Sequence, residues 1–238
     1  MQPGLDYIGD ELQLFQQAVN WKKYFSSFFK PFIKGSVAEV GAGMGANVPY
    51  LLNSSVTSYC CIEPDGNLVA AINHKIASGE LPTICKVKQG FLEENLNGEF
   101  DTIIYIDVLE HIEDDVSEVK KAVKALKPGG YICILVPANP NDYTAFDKAI
   151  GHFRRYTRSS LLQTVAAESL QIEWCRYLDS IGSMASKANK LFLKQSQPTK
   201  SQILLWDRFM IPVSKIIDRP MGFSHGKSLL LVAKKLPS

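Results

Sequence analysis

The sequence predicts an α/β fold with a doubly wound, mostly parallel sheet. Short apolar strands alternate with amphipathic helices along the chain, and a glycine-rich turn follows the first strand. Short apolar strands spaced by helices are expected when helices cover both faces of a parallel sheet. The 238 residues suffice for one such domain with an insertion, so a second independent domain is not expected.

The first predicted element is an amphipathic helix over residues 11–30, which ends before Pro31. A short strand over 36–40, the glycine turn and a short helix through Tyr50 and Leu51 come next. Hydrophobic periodicity then predicts strands at 56–62, 83–88, 101–106 and 131–137, and helices at 67–76 and 115–126. The sequence KPGG at 127–130 is predicted to end the last of these helices and turn into the fifth strand.

The regular pattern stops after Pro137, over the long connection ANPNDYTAFDKAIGHFRRYT. A parallel sheet opens its ligand crevice at this edge, and long loops there usually carry function. A helix over 159–168, a strand over 171–177 and the apolar strand KSLLLVAKK complete the chain. The predicted organisation is a cap helix (1–35), a core (36–138), an acceptor loop with helix and strand (139–180), a helical insertion (181–226) and a final strand (227–238).

Composition narrows the class of protein. The 26 basic and 24 acidic residues leave a net charge of +2, too small to indicate a nucleic-acid-binding surface, so a small-molecule partner is expected. The five cysteines include no C-x-x-C pair, which indicates reduced thiols and a cytoplasmic protein. The sequence contains neither an apolar signal segment nor an apolar run of the roughly 18 residues that a membrane span needs, so no transmembrane segment is predicted.

The stretch VAEVGAGMGAN places Gly41, Gly43 and Gly45 directly after the first strand. Glycines there let the backbone approach a ligand, and the following helix offers unpaired N–H groups. Dinucleotide-binding proteins use G-x-G-x-x-G/A, which Gly41, Gly43 and Ala46 satisfy. Glu63 ends the second strand 22 positions after Gly41, where an acid accepts the ribose hydroxyls of an adenosine in either ligand class. The turn by itself leaves the ligand open.

Four motifs in order and spacing resemble those of class I S-adenosylmethionine-dependent methyltransferases, over about residues 36–138, and the segments GHFRRYT and NWKKY resemble the branch called type 11 or 12. The four motifs are EVGAGMG, IEPD, FDTIIYIDVLEHIEDD and LKPGGYICILVP. Nicotinamide-binding proteins do not combine the acid before the first glycine, the third glycine and the aspartate that ends strand four. The resemblance implies a Rossmann-like seven-stranded sheet whose last strand is antiparallel, S-adenosylmethionine as cofactor, and methyl transfer to a small-molecule acceptor.

The resemblance also assigns the cofactor contacts. Glu39 and the glycines would line the methionine part, Glu63 would hold the ribose, and Asp107 and Val108 would lie by the methionine and the sulfonium. Many family members have Gly-Asp after strand three, whereas this chain has Gly90 and Phe91, so the adenine contact falls to nearby backbone or to Glu93. The full implied set is Glu39, Gly41, Ala42, Gly43, Gly45, Glu63, Pro64, Gly90, Phe91, Leu92, Asp107, Val108 and His111.

Methyl transfer from a sulfonium is a single in-line displacement, so most of the catalysis is positioning. A hydroxyl or amine acceptor additionally needs a base. His152, in the long connection, is the predicted base, because an ordinary histidine pKa suits the task; the alternative is a histidine that packs the loop. Tyr156 is predicted to orient the acceptor or to bury its ring. Carbon methylation stays open.

Further candidates carry two interpretations each. Arg154 and Arg155 would bind an acidic substrate group, or would tie the loop to acids such as Asp142 and Asp147, which we favour. The aromatic residues Trp21 and Tyr24 of the first helix would cover the substrate or belong to the core. The 181–226 insertion would serve as a substrate lid, a homodimer contact or a membrane-surface contact.

Asp107, Glu110 and His111 resemble an acid-x-x-Glu-His pattern that some quinone-biosynthesis-type methyltransferases use for a divalent metal. We predict no metal site, because Asp107 is assigned to the cofactor and a hard cation requires more oxygen ligands. Two other functions stay open: an NAD(P)-dependent oxidoreductase, and a catalytically silent protein that binds the cofactor.

Overall fold

The computed structural model describes residues 15–166, 169–192 and 199–237. It confirms the predicted seven-stranded sheet. The strands are β1 (Gly35–Val40), β2 (Val56–Glu63), β3 (Cys85–Gln89), β4 (Phe100–Ile106), β5 (Leu126–Pro137), β6 (Leu170–Leu178) and β7 (Ser228–Lys235), in the spatial order β3-β2-β1-β4-β5-β7-β6. The last strand, β7, runs antiparallel to both neighbours, β5 and β6, as predicted.

The helices fall between the strands as the alternating pattern predicts. They are α1 (Val19–Phe29), α2 (Val48–Leu51), α3 (Gly66–Ala77), α4 (Asp115–Ala125), α5 (Ala145–Ala149), α6 (Arg158–Val165), α7 (Ser180–Phe192), α8 (Lys200–Leu205) and α9 (Ile211–Ile217). A π-helical turn, Trp206–Met210, joins α8 to α9. The predicted start of the first helix, 11–14, and two residues near the predicted end of the 159–168 helix lie outside the described residues.

Central strands such as β4 and β7 are buried on both faces, which explains their apolar runs, whereas the edge strands β3 and β6 are largely accessible. In β4, Ile104 and Ile106 face a core that includes α1, whereas Ile103 and Tyr105 face a core that includes α4. Alternate residues of one strand therefore enter opposite cores, as the pleat of a strand requires. The arrangement leaves the carboxyl ends of the strands as the open edge of the sheet.

The KPGG segment differs from the prediction. Strand β5 already begins at Leu126, which pairs with Phe100, and the next pair is Thr102 with Tyr131. Five residue steps of β5 thus oppose two of β4, so the segment forms a bulge inside the strand rather than a turn before it. Gly129 has φ +77°, a conformation that only glycine adopts at low cost.

The predicted irregular connection after β5 contains a 3-10 turn (Pro140–Asp142) and the helix α5. Thr144 and Asp147 cap α5 reciprocally. The connection folds back over the open sheet edge, because Phe153 N–H donates to the Glu110 carbonyl at 2.7 Å and Tyr156 N–H donates to the Pro137 carbonyl at 2.9 Å.

Two buried aspartates attach the 181–226 insertion to the rest of the fold. Asp207 accepts hydrogen bonds from the N–H groups of Asn20 and Trp21, and so satisfies the first donors of α1. Asp218 accepts from the Asp179 N–H at 2.8 Å and from the Tyr24 hydroxyl at 2.8 Å. The insertion and the N-terminal helix therefore pack as one unit.

Two expectations about the chain as a whole concern its thiols and its helices. All five cysteines are free, and three of them are fully buried, in agreement with the predicted reduced thiols. Within the described ranges, no helix combines the length and the apolar character that crossing a membrane requires.

Candidate functional site

The candidate site lies where the strand order reverses. Strand β1 pairs with β2 on one side and with β4 on the other, all in parallel. The loops after β1 and β4 consequently diverge at the carboxyl edge and leave a crevice, where open α/β sheets bind ligands. The glycine turn and Asp107 occupy these two loops, so the structure brings together the two halves of the predicted cofactor site.

The glycine turn requires glycine at each predicted position. Gly41, Gly43 and Gly45 all have positive φ, between 57° and 69°. A methyl group on Gly41 would lie 2.5 Å from Cγ2 of Val108, so the turn and the loop after β4 are in close contact. The exposed backbone of the turn can therefore approach a ligand held beside Val108.

Glu63 stabilises the turn from the neighbouring strand. Its carboxylate accepts the N–H of Gly43 at 2.8 Å and the N–H of Asp65 at 3.0 Å. Burial raises the pKa of Glu63, and these two hydrogen bonds oppose that rise. Each carboxylate oxygen keeps a second lone pair, so the predicted ribose contact is compatible with this geometry.

Glu39 lies behind the turn rather than in the crevice. It is buried, and its oxygens accept from Asn47 Nδ2 at 3.0 Å and from the Tyr59 hydroxyl at 2.8 Å. Burial raises the pKa of Glu39 to about 7. The side chain thus connects β1 to β2 and to the residue before α2. Its effect on the cofactor would therefore be indirect, through the position of the glycine turn.

The raised pKa of Glu39 predicts a pH-dependent stability. The unfolded carboxyl titrates near 4.5 and the folded one near 7, so folding binds a proton and the stability falls as pH rises across this interval. The glutamine of Glu39→Gln does not titrate. The unfolding free energy of the variant minus that of the parent should therefore rise by on the order of 3 kcal/mol between pH 4 and pH 8. Urea denaturation at both pH values measures it.

The matched control is Glu94→Gln, because Glu94 is an exposed glutamate. Its difference from the parent protein should be the same at both pH values. An equally constant difference for Glu39→Gln would contradict the desolvation of Glu39.

Asp107 marks a recess beside the turn. It has φ +52°, unusual for a residue other than glycine, and its side chain is exposed. The surrounding protein nevertheless desolvates the carboxyl and raises its pKa to about 6, which indicates a concave setting. Four cationic or ionisable groups act in the opposite direction: His152, Lys227, Arg155 and Lys22.

Lys22 and Lys227 were not predicted from the sequence. Burial lowers the pKa of Lys22 to about 8 and also lowers that of Lys227, whose Nζ lies 5.4 Å from the centre of the Trp206 ring. Two features of the sequence could have indicated them: Lys22 interrupts the apolar stripe of the first helix, and Lys227 comes immediately before the last strand. Both place positive charge around the carboxylate of Asp107.

His152 is held by an oriented carboxylate. Its Nδ1 lies 3.0 Å from Asp147 Oδ1, and Arg155 binds the same carboxylate through Nε at 2.8 Å and a terminal nitrogen at 3.0 Å. Burial of Asp147 opposes ionisation, but the bonds from His152 and Arg155 outweigh it and lower the pKa of Asp147. The pairing leaves Nε2 as the nitrogen available to other groups.

A second buried acid lies beside His152. Glu110 is fully buried, its Oε1 is 3.8 Å from His152 Nε2, and neither of its oxygens has a hydrogen-bond partner among the described residues. Burial, reinforced by the charge of Asp107, raises the pKa of Glu110 well above its usual range. Burial thus disfavours the ionised form of Glu110 and weakens any ion pair with His152.

The ligand atoms of Glu110, His111 and His152 lie within 4.8 Å of one another. This is not the set that the sequence pattern suggests, because Asp107 is replaced by His152. One carboxylate and two imidazoles also do not supply the oxygen-rich shell of a hard cation. We derive no catalytic step through a metal. Burial and the neighbouring His152 lower the pKa of His111 to about 4, which keeps it neutral next to the crevice.

The arginine side chains anchor the loop, the interpretation that the sequence favoured. Arg155 binds Asp147, whereas Arg154 binds Asp115 at 2.7 Å and the Glu113 carbonyl. Asp142, the other predicted partner, is not used by either arginine. Both guanidinium groups are thus engaged within the protein, which favours the anchoring interpretation over substrate binding.

The three predicted aromatic residues belong to the core. Tyr156 is buried and its hydroxyl donates to Asp115 at 2.7 Å, so this hydroxyl is already engaged. Tyr24 is buried with its hydroxyl on Asp218, and Trp21 packs against Trp206 with ring centres 5.8 Å apart. The structure therefore favours the buried-ring interpretation of Tyr156 and the core interpretation of Trp21 and Tyr24 over substrate contact.

A shallow cavity of about 500 Å³ lies at the end of β3. Its lining includes Gly90, Phe91, Leu92 and Glu93. From the sequence, the adenine contact is predicted at this loop, because the chain lacks the Gly-Asp motif that many family members have there. Leu92 is buried in the core, whereas Phe91 is exposed. The adenine contact remains a prediction, and this cavity shows that the loop is open to solvent.

Residues 38–132 match the family described as "Methyltransferase domain". A curated relative, the ubiquinone biosynthesis O-methyltransferase of Pseudomonas paraeruginosa, is 24% identical over 109 residues, which cover 45% of this chain and 47% of that enzyme. The Pseudomonas aeruginosa enzyme of the same name is 27% identical over 77 residues, 32% of this chain and 33% of the enzyme. The match therefore spans less than half the length of these relatives.

Among solved structures, geranyl diphosphate methyltransferase in complex with S-adenosylmethionine superposes with a TM-score of 0.67. The sequence identity is 9%, and the superposition covers 98% of this chain and 92% of that one. At this identity the similarity supports the fold.

Proposed function

We propose that this chain, whose residues 38–132 match a methyltransferase domain, is a class I S-adenosylmethionine-dependent methyltransferase that transfers a methyl group to a hydroxyl or amine of a small molecule. One observation carries the proposal. The glycine turn and Asp107, both in left-handed backbone conformations, lie side by side at the carboxyl ends of β1 and β4. This arrangement suits a ligand that carries a positive charge beside Asp107 and lies directly against the backbone of the turn.

The residues present fit the cofactor. The glycines would hold the amino-acid end, Glu63 would accept the ribose hydroxyls, and Asp107 would face the positively charged amino group or sulfonium. With a pKa of about 6, Asp107 is mostly ionised at neutral pH and so attracts that charge. The cofactor supplies the activated methyl group, and the chain supplies position and charge.

His152 is the proposed base. Its charge favours the ionised form of Asp107, and its ring centre lies 4.5 Å from that of His111, four residues after Asp107. When bound, S-adenosylmethionine would supply the methyl group, which would pass from its sulfur to the acceptor oxygen, and Nε2 of His152 would take the proton that the acceptor loses. Asp147, bound to Nδ1, stabilises the resulting imidazolium.

The curated relatives favour an oxygen acceptor, because they are named O-methyltransferases. An amine acceptor would need the same proton transfer, and carbon methylation would need it from an acidic C–H group. The acceptor is therefore proposed as a small molecule with an ionisable O–H or N–H, and its further structure is left to assay.

Calorimetry with S-adenosylhomocysteine and with NAD tests the cofactor directly. We expect S-adenosylhomocysteine to bind and NAD to give no heat of binding. Tight NAD binding without S-adenosylhomocysteine binding would contradict the proposal and favour the oxidoreductase. Release of S-adenosylhomocysteine across a panel of phenols, alcohols and amines tests turnover; cofactor binding with no turnover on any of them would indicate a silent binding protein.

A further inference from the structure

Segment 200–219 has two faces of different character. It comprises α8, the π-helical turn, α9 and the two residues that follow. One face is buried along its full length at four- and three-residue steps: Ile203, Asp207, Ile211, Ser214 and Asp218. Asp207 accepts the N–H of Trp21 in α1 and Asp218 accepts the N–H of Ser180 at the start of α7, which fixes this face against the domain.

The opposite face is apolar although it is exposed. Ile216, Phe209 and Leu205 have 74%, 59% and 51% of their surface open, and Leu204 and Val213 extend the row. A helix on the surface of a globular domain normally places polar residues on the side that faces solvent. A continuous exposed row of large apolar side chains indicates a contact surface.

The exposed charges of segment 200–219 are all positive. The segment contains four exposed cations, Lys200, Arg208, Lys215 and Arg219. Its two acids, Asp207 and Asp218, are buried and already accept backbone N–H groups. The partner must therefore accommodate apolar side chains and carry negative charge close to them.

An anionic phospholipid surface meets both requirements. Interfacial helices place large apolar side chains among the acyl chains and their Lys and Arg residues near lipid phosphates. A second copy of this chain fits less well, because a symmetric contact would bring the four cations of one segment against the four of the other. We propose that segment 200–219 docks the protein on anionic membrane surfaces, with its exposed apolar row inserted at the headgroup boundary.

Sedimentation with lipid vesicles tests the proposal. We expect the protein to pellet with vesicles of equimolar phosphatidylglycerol and phosphatidylcholine, and to remain in solution with phosphatidylcholine alone. The variant Phe209→Glu/Ile216→Glu should bind the anionic vesicles at least about 10-fold more weakly, because it places two carboxylates at the lipid boundary. The control Ile84→Glu/Ile172→Glu makes the same change at isoleucines that are 38% and 39% exposed outside the segment, and should bind like the parent.

Three results would overturn the proposal. Dimerisation through this face is the competing assignment, so analytical ultracentrifugation is run on the parent and both variants. A parent dimer that dissociates only in Phe209→Glu/Ile216→Glu, without vesicle binding by the parent, assigns the face to a second copy. If both variants lose vesicle binding equally, or if neither loses it, segment 200–219 is not the membrane-binding surface. S-adenosylhomocysteine calorimetry on each variant reports folding and the cofactor site, so failure here is distinct from failure of the proposed methyl transfer.

Discussion

His152→Ala is expected to lower turnover on the order of 100-fold or more, while the affinity for S-adenosylhomocysteine stays within about twofold. The variant removes the only imidazole that Asp147 orients among the described residues, but it leaves the glycine turn and Glu63 unchanged. The rate of S-adenosylhomocysteine release with an active acceptor measures turnover, and calorimetry measures the affinity.

Two controls separate a base from a structural histidine. His225→Ala removes an exposed histidine whose ring contacts the neighbouring Ser224, and should leave turnover unchanged. Added imidazole should partly restore turnover in His152→Ala, because the deleted ring leaves space next to Asp147, whereas it should not affect the parent. Unchanged turnover in His152→Ala, or a loss of turnover that merely follows a loss of cofactor affinity, would remove the base assignment.

The sheet and the glycine turn could be predicted because each depends on neighbours along the chain. The alternation of apolar strands reflects burial on both faces, and the glycines of the turn reflect local backbone angles. The KPGG segment shows the limit of local patterns. Its glycines correctly indicated an irregular backbone, but whether that irregularity is a turn or a bulge depends on pairing with β4, which no nearby residue specifies.

The surroundings of Asp107 could not be predicted, because they come from distant parts of the chain. Lys22 lies in the first helix and Lys227 just before the last strand, yet both act on the same carboxylate. Arg154 similarly pairs with Asp115, 39 positions earlier, while Arg155 finds its predicted partner Asp147 only eight positions away. Charge patterns predict partners that are close in sequence, and tertiary packing selects the others.

Trp206 connects the two surfaces that carry our proposals. Its Nε1 donates to Asp179 at 2.7 Å and its ring lies over Lys227, which acts on Asp107. The residue itself belongs to the π-helical turn of segment 200–219. The segment proposed to contact membranes thus packs on a lysine that acts on Asp107, and turnover measured with and without anionic vesicles tests whether the two sites are coupled.

Gly41→Ala is the second change with a large expected effect, a loss of S-adenosylhomocysteine affinity on the order of 100-fold. Gly41 has φ +67°, and the added methyl group would meet Cγ2 of Val108 at 2.5 Å. Left-handed backbone costs an alanine about 1–2 kcal/mol, and the overlap must additionally displace the turn or the loop that carries Asp107. Either displacement alters the part of the crevice proposed to hold the amino-acid end, and calorimetry measures the result.

Two further variants separate the overlap from the backbone strain. Gly79→Ala has nearly the same conformation, φ +78°, but nothing lies within 4 Å of the added methyl group, so it should cost about 1–2 kcal/mol of stability through the backbone alone and no cofactor affinity. Gly41→Ala/Val108→Ala removes the methyl groups that the new side chain would meet, and should recover part of the lost affinity. If Gly41→Ala binds S-adenosylhomocysteine as the parent does, the turn does not hold the cofactor. If the double variant recovers nothing while Gly79→Ala is silent, the loss comes from the conformation of the turn itself, and the close contact with Val108 has no part in binding.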